Sequence, residues 1–330
     1  MATLAATHPT LLDVAKRTDP DGKIASIVEI LAQTNEILDD MVWLEGNLPT
    51  GHRTTIRTGL PTPTWRKLYG GVQPTKSTVV QVTDSTGMLE AYAEVDKALA
   101  DLNGNAPAFR LSEDRAHIEG MNQEFASTLF YGNEGTEPEA FTGFAPRFND
   151  QAAANGENIL TSAATPDGTD NTSIWLIVWG PNTVHGIYPK GSQAGLKQQD
   201  LGEQTIGTPT DGYYQGYRTH YRWDCGLTVR DWRYIVRINI DLEDVIAAAT
   251  SGPILTELMG KAMRRVPSLT MGRPVFYASR DALDAIDLQA NNKSNMAFQT
   301  IEDAQGKMVT RFRGIPVRRC DSLLNTESGI

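Results

Sequence analysis

The last fifth of the chain carries the clearest pattern of apolar and polar positions. Residues 275–279 (Val-Phe-Tyr-Ala-Ser) begin with a short apolar run that is typical of a buried strand. From Arg280 onward apolar residues recur at helical spacing, which predicts an amphipathic helix. A glycine-centred turn at 303–307 and the run Gly-Ile-Pro-Val that begins at Gly314 predict a hairpin and a last strand. Gly314 is expected to let two backbones approach closely.

A long helix is predicted upstream of that region. Ser112 is expected to cap its N-terminus, and the acidic residues that follow Ser112 favour the positive end of a helix. The helix is expected to end near Gly132. Its apolar stripe consists of Ile118, Met121, Phe125, Thr128, Leu129 and Gly132.

The middle of the chain is predicted to be rich in strands. The apolar run 173–180 indicates a fully buried central strand. Residues 213–240 mix arginines with aromatic residues, which suits a long twisted hairpin with cation–π contacts. Helices are expected at roughly 241–250 and 253–266.

An extended hairpin is predicted in the first quarter of the chain. Residues 54–58 and 77–83 are β-branched and alternating, as two paired strands should be. A two-stranded ribbon has little core of its own, so large apolar residues on its tip imply burial against something else. These residues are Trp65, Leu68 and Tyr69. The alternative is a surface hairpin that folds back on its own domain.

Composition narrows the classes of protein that fit. A chain of 330 residues has room for two subdomains, and its net charge of −10 argues against a dedicated nucleic-acid binder. The N-terminus lacks the basic and apolar regions of a signal peptide. The longest strongly apolar run, 174–179, is far short of the roughly 20 residues that a membrane helix needs. We therefore expect folding in the cytoplasm and no membrane partner.

Motifs for catalysis and cofactor binding do not occur at their usual spacings. The chain has no glycine-rich phosphate loop, no His-Glu-x-x-His and no Cys-x-x-Cys, and Cys225 and Cys320 are expected to be buried free thiols. His185 or His220 could still join a distant Ser and Asp in a triad. Asp39-Asp40 and the acidic residues of 241–244 could hold a cation, but solvated faces or ion pairs are favoured. We predict no catalytic, cofactor or metal site.

The order of these parts resembles that of the major capsid proteins of tailed bacteriophages, short-tailed ones in particular. The resemblance is most specific at 275–321 and extends to 49–83 and 213–240. It implies the α+β fold shared by phage capsids, encapsulins and herpesvirus capsid floors. In the commonest pattern the β-ribbon follows the Gly-Pro-Val strand, whereas here it precedes it, which implies a rearranged strand order.

The resemblance also implies a division of the chain into an arm, a loop and two domains. The peripheral domain would contain the long spine helix and the β-ribbon, and the axial domain would be mixed α/β. The expected boundaries are 1–48 for the N-terminal arm, 49–87 for the extended loop, 88–149 with 213–250 for the peripheral domain, and 150–212 with 251–330 for the axial domain.

The function implied by the resemblance is self-assembly. Pentamers and hexamers of the chain would close an icosahedral shell that encloses DNA without sequence-specific binding, made in the bacterial cytoplasm and retained in the virion. A decoration or cement protein, a scaffold and a portal are expected partners. The alternatives are an encapsulin-like nanocompartment and, from another class, a cytoplasmic mixed α/β enzyme.

Charge is segregated in a way that bears on assembly. Residues 24–51 hold acidic residues and no Lys or Arg, whereas residues 49–83 hold basic residues and no Asp or Glu. In the family the extended loop lies across the neighbouring subunit, so we expect the two blocks to meet between subunits. The expected contact residues are Arg53, Arg57, Trp65, Arg66, Lys67, Leu68, Tyr69 and Lys76 on the loop, with Glu36, Asp39 and Asp40 on the acidic side. Arg311, Arg313, Arg318 and Arg319 could touch DNA, but intersubunit salt bridges are favoured.

Overall fold

The fold is known from a computed structural model of the chain. The structure describes residues 33–103, 106–162, 170–208, 212–241, 255–292, 298–302 and 308–330. Two predictions lie outside these residues: the helix at 241–250 and the glycine-centred turn at 303–307.

Two long strands dominate the first part of the described chain. A short helix α1 (Ile37–Asp40) and strand β1 (Trp43–Glu45) precede them. Strand β2 (Gly51–Gly59) pairs antiparallel with strand β3 (Thr78–Asp96), which confirms the two predicted paired strands. At 19 residues β3 is much longer than expected, because it continues past the hairpin into the body of the protein.

The predicted long helix is present but begins earlier than expected. After helix α2 (Lys97–Ala100), helix α3 runs over Ala106–Tyr131 and ends immediately before the glycine that was expected to end it. The prediction that Ser112 caps the helix is wrong, because Ser112 lies one and a half turns inside it. Pro107 falls in the first turn, where a missing N–H costs no hydrogen bond. Met121, Phe125 and Leu129 are buried as predicted, whereas Ile118 is exposed.

The middle of the chain supplies a central strand and a long ribbon. The strands in order are β4 (Ile159–Thr161), β5 (Asn171–Trp179), β6 (Val184–Tyr188), β7 (Lys197–Thr208) and β8 (Gly212–Val229). Strand β5 is buried along its whole length, which confirms the prediction for 173–180. A strand covered on both faces needs a nearly continuous apolar sequence, which this one has.

The prediction of one hairpin over 213–240 is wrong. Strand β8 pairs antiparallel with the preceding β7, and the following strand, β9 (Ile235–Asp241), pairs with β4 and β5 instead. Four of the seven β9 residues are buried apolar ones, so β9 belongs in the core rather than on a ribbon. Strand β7 is mostly polar, so its sequence did not indicate a strand.

The cation–π contacts expected for this region do occur, with other partners. The guanidinium of Arg218 lies 4.2 Å from the ring centroid of Tyr92 on β3. The guanidinium of Arg110 on α3 lies 5.0 Å from the ring of Tyr217 on β8. Neither contact crosses the predicted hairpin, because Arg218 of β8 contacts β3 and Tyr217 of β8 contacts α3.

The end of the chain follows the predicted order of strand, helix, hairpin and strand. Its elements are α4 (Leu255–Arg265), β10 (Arg273–Ala278), α5 (Arg280–Asn292), β11 (Phe298–Glu302), β12 (Met308–Phe312) and β13 (Ile315–Arg319). Helix α4 confirms the second of the two expected helices. Strands β11 and β12 pair antiparallel, so the hairpin around the glycine-centred turn is confirmed as well.

Gly314 has a conformational role rather than a packing role. It has a φ of +88°, and Arg313 before it has a φ of 48°. Two successive residues with positive φ suit the tight turn that joins β12 to β13. A Cβ at Gly314 would meet nothing within 4 Å, so the expectation of close backbone approach is wrong.

The described strands join in one mixed sheet. Its order is β11-β12-β13-β10-β5-β6-β8-β3-β2, with β1 beside β6, β4 beside β9, β7 beside β8 and β9 beside β5. Among the core clusters of the described residues, the largest lies on β5, β9 and β10 and is covered by α4 and α5. Ile174, Val236, Met259, Phe276 and Ile286 are among its buried members.

Packing divides the chain into two units. Unit 1 comprises Met1–Gln33, Met88–Ala126 and Gly195–Asp224, and unit 2 comprises Thr34–Gly87, Ser127–Ala194 and Cys225–Ile330. In unit 1, the first turns of α3 pack on β3 and β8 through small apolar clusters. Unit 2 holds the large core. This division places 195–212 with the long helix, whereas the predicted boundaries place those residues in the other domain. The peripheral and axial assignments stay predictions.

Candidate interaction surface

The hairpin β2–β3 carries an exposed apolar tip. Its strands pair from Gly51 opposite Ser85 to Gly59 opposite Thr78. Between the strands, Trp65 and Tyr69 are fully exposed and Leu68 is 86% exposed. A hairpin folded back on its own domain would bury these side chains. Their exposure therefore speaks against that alternative.

A tight turn presents the apolar residues at the tip. The N–H of Gly70 donates to the carbonyl of Lys67 at 3.0 Å. Tyr69 adopts a φ of 64°, a left-handed conformation that a non-glycine residue seldom takes. The turn thereby directs Leu68 and Tyr69 away from the strands. Leu60, Val72, Val79 and Val80, which were not predicted as contact residues, extend the exposed apolar surface.

Five basic side chains lie along the hairpin, all of them exposed: Arg53 and Arg57 on β2, and Arg66, Lys67 and Lys76 between the strands. Arg53 is held in place, because its Nε donates to Thr83 Oγ1 at 3.2 Å. Within the described part of the chain, none of the five has a carboxylate within 4.0 Å. Since no described carboxylate neutralises these side chains, the hairpin offers positive charge on β2 and beside the apolar residues of its tip.

The three predicted acidic contact residues divide into two groups. Asp39 is exposed, and so is Glu45, which was not among the predicted contact residues and accepts a hydrogen bond from the N–H of Gly191. Asp40 is only 2% exposed, and its Oδ2 lies 2.8 Å from Nε of Arg318. Glu36 is mostly buried and lies 3.7 Å from the same guanidinium. Asp40 therefore has no exposed carboxylate for another subunit, and we remove it from the predicted contact.

Asp40 instead anchors α1 to the central sheet. Tyr277 donates to Asp40 Oδ2 at 3.0 Å, and Trp179 Nε1 donates to Tyr277 Oη at 2.8 Å. Burial raises the pKa of Asp40, and Arg318 and the bond from Tyr277 oppose that rise. Burial, reinforced by Asp40, also raises the pKa of Tyr277. The acidic pair 39–40 thus combines one exposed carboxylate with one structural carboxylate.

Two of the four arginines near the end of the chain form ion pairs within the chain. Arg318 pairs with Asp40, and Arg319 Nε lies 2.6 Å from Asp321 Oδ1. Both guanidinium groups therefore have a carboxylate partner within the chain. The intersubunit role favoured for the four arginines stays a prediction.

The residues considered for catalysis are far from a triad. His185 is buried beside His52, with ring centroids 5.8 Å apart. His220 lies in unit 1, with Nε2 3.3 Å from Glu90 Oε2, stacked on Tyr92. In the described part of the chain, no group of three or more His, Cys, Asp or Glu side chains is arranged to hold a metal ion. No described helix is long and apolar enough to cross a membrane.

Both cysteines are buried and free, as predicted. Burial raises the pKa of Cys320 to about 11, so its thiol is protonated at neutral pH. Its Sγ lies 3.1 Å from Ser322 Oγ and 3.3 Å from Asn35 Oδ1. Cys320 is therefore part of the packing between the last strand and the segment before α1.

A mixed sheet, one long helix and a projecting basic hairpin together form the architecture of a phage major capsid protein. The family profile described as "Major capsid protein GP7" matches residues 19–330, and the chain belongs to this family.

The chain is similar to a chain in the near-atomic structure of bacteriophage Epsilon15, with 41% sequence identity, 99% coverage of both chains and a TM-score of 0.79. A chain of Mycobacterium phage Adephagia is 11% identical over 71% of this chain and 98% of that chain, with a TM-score of 0.44. A capsid chain of the empty GTA particle is 10% identical over 70% of this chain and 98% of that chain, also with a TM-score of 0.44. None of the curated proteins compared with the chain is similar to it.

These findings confirm the prediction made from the order of the parts. The protein is a major capsid protein with a phage capsid fold, and its place is the capsid of the virion. Its role is structural. The strand, helix and last strand of 275–321 were the most specific signal in the sequence, and each of them is present.

Proposed function

We propose that the shell forms because the hairpin β2–β3 of one copy lies over a neighbouring copy, and that such contacts join pentamers and hexamers into a closed icosahedral shell around the phage genome. One observation carries the proposal: Trp65, Leu68 and Tyr69 are exposed at the end of a ribbon that has no core of its own.

The apolar residues of the tip would supply most of the free energy of this contact. Burying a large apolar side chain is worth about 1.5–3 kcal/mol. Tyr and Trp are also the residues most often found at the energetic centre of interfaces. Each copy contributes one such tip, so a modest contact is repeated around the whole shell.

The unpaired basic residues would orient the contact. The chain as a whole carries a net charge of −10, so a neighbour offers more acidic than basic groups. Asp39 and Glu45 are exposed acidic candidates on that neighbour, whereas Asp40 is buried in its own chain. Exposed ion pairs contribute about 0–1 kcal/mol each, so the effect comes from the group and weakens in salt.

Reversal of charge on the loop tests this proposal. The variant Arg53→Glu, Arg57→Glu, Arg66→Glu, Lys67→Glu should stay folded as a subunit and fail to form shells. Its matched control exchanges Arg and Lys at the same four positions, which keeps the charge, and should form shells normally. Circular dichroism and electron microscopy measure the two properties. Normal shells from the charge-reversed variant would contradict the proposal.

Further partners follow from the same proposal. We propose that the shell encloses DNA without reading its sequence and that a decoration or cement protein, a scaffold and a portal join it. The predicted absence of a catalytic, cofactor or metal site fits a protein whose function is assembly. Family membership favours this function over the encapsulin-like and enzyme alternatives.

A further inference from the structure

A buried pair of histidines lies at the root of the hairpin β2–β3. His52 is the second residue of β2 and lies opposite Asp84 on β3, and His185 on β6 lies opposite Thr228 on β8. The two rings meet edge to face, with centroids 5.8 Å apart and planes at 81°. His52 is 8% exposed and His185 is 1% exposed. None of the four ring nitrogens has a partner with hydrogen-bond geometry in the described part of the chain.

Fixed charges around the pair disfavour its protonation. Arg230 acts on both histidines and cannot turn away easily, because its Nη1 donates to the carbonyl of Pro181 at 2.8 Å. Asp84 favours protonation of His52, but its Oδ1 already pairs with Arg147 Nη1 at 2.8 Å.

The backbone of Gly180 and the second imidazole act on His185 more weakly than burial and Arg230 do. The backbone of Gly180 favours the charged form of His185, while each imidazole, once charged, opposes protonation of the other. Burial, followed by Arg230 and His52, lowers the pKa of His185 to about 4. Burial, followed by Arg230, also lowers the pKa of His52.

We infer that the His52–His185 pair is an acid-sensitive latch that holds the root of the hairpin against β6 and releases it when the imidazoles are protonated. Two imidazolium ions beside Arg230 would place three positive charges in one buried region, where the single carboxylate of Asp84 is already shared with Arg147. Opening the root exposes the rings to water and relieves this repulsion. The latch regulates the hairpin contact, so its consequence for shells rests on the proposed function.

The direction of the pH effect follows from the lowered pKa values. An exposed histidine titrates near pH 6.5, whereas His185 in the closed root titrates at about 4. The open state therefore binds more protons, and the closed root loses stability as the pH falls below about 6.5. Between pH 8 and pH 5, His185 alone should raise the ratio of open to closed root by about 30-fold.

Hydrogen exchange detected by mass spectrometry tests the latch in the full chain. Wild type and the variant His52→Gln, His185→Gln are compared with each other at pH 7.5 and again at pH 5. At pH 5, the protection factors of peptides from 51–59 and 84–88 should be at least tenfold lower in wild type than in the variant. At pH 7.5 there should be no such difference. His220→Gln, in the other unit, is the control and should behave as wild type does.

Two outcomes would overturn the inference: equal protection of wild type and variant at pH 5, or loss of protection spread evenly over the chain. If the double variant does not fold, the single variant His52→Gln and the denaturation midpoint of wild type from pH 8 to pH 5 replace it. A wild-type midpoint that does not fall with pH would again contradict the latch. If shells form and the root of the hairpin stays protected from hydrogen exchange at pH 5, the latch alone is refuted. Failure to form shells at any pH would refute the proposed function.

Discussion

At the scale of single residues, neighbouring residues of the same type have different tasks. Asp39 and Asp40 are adjacent and identical in charge, yet Asp39 is exposed and Asp40 is buried against Arg318 and Tyr277. Arg318 pairs with this carboxylate within its own chain. A second such pair, Arg237 with Glu327, is buried at 2.7 Å and ties the end of the chain to β9. Sequence spacing indicates neither pair, because the partners are far apart along the chain.

We predict that substitutions at the adjacent positions 39 and 40 change the free energy of unfolding by different amounts. Asp40→Asn leaves the largely buried Arg318 with only Glu36, at 3.7 Å, as a charge partner, so it should lower the free energy of unfolding of the subunit by about 2–4 kcal/mol. Asp39→Asn removes an exposed carboxylate and should change that free energy by less than about 0.5 kcal/mol. Denaturant unfolding measures both. Equal effects of the two substitutions would refute the assignment of Asp40 to the fold.

At the scale of elements, the sequence predicts those whose pattern is local. The central strand, the amphipathic helix after Arg280 and the paired strands of the hairpin were all identified from periodicity, and the structure has each of them. The partner of β8 was not identified, because periodicity reveals a strand but not the strand beside it. Strand β7 was missed because a polar ribbon strand lacks an apolar pattern. The start of α3 was missed because Pro107 is tolerated in a first turn.

The same limit applies to the candidate site. Trp65, Leu68 and Tyr69 could be predicted as exposed, since a tip with no core cannot bury them. The burial of Asp40 could not, because it depends on Arg318 and Tyr277, which reach it only through the folded sheet. The histidine pair is likewise a product of tertiary packing, as His52 and His185 lie 133 positions apart in the sequence.

We predict that the tip of the hairpin β2–β3 stabilises the assembled shell and not the single subunit. Trp65→Ala removes a fully exposed side chain, so the unfolding midpoint of the subunit should not change. If a neighbour buries Trp65, the loss of about 1.5–3 kcal/mol per contact should raise the threshold concentration for assembly about tenfold to hundredfold. Light scattering against concentration measures that threshold.

Ala93→Gly, at a buried position of β3, is the contrasting control and should lower the stability of the subunit. A fall in the midpoint of Trp65→Ala would contradict the account, because it would mean that the tip packs on its own chain.

At the scale of the whole molecule, the chain combines a compact core with a hairpin tip that no described residue of the subunit covers. The core of unit 2 is formed by β5, β9 and β10 together with helices α4 and α5. The hairpin leaves large aromatic residues at its tip, and five cations that no described carboxylate neutralises, in solvent. In the proposed function, a second copy covers the tip.

Electron cryo-microscopy of particles assembled from the purified protein tests that claim most directly. The account predicts hollow icosahedral particles in which residues 61–74 of each copy lie on a neighbouring copy, with Trp65 and Tyr69 buried in the contact. Particles in which the tip stands free in solvent or folds onto its own chain would contradict it.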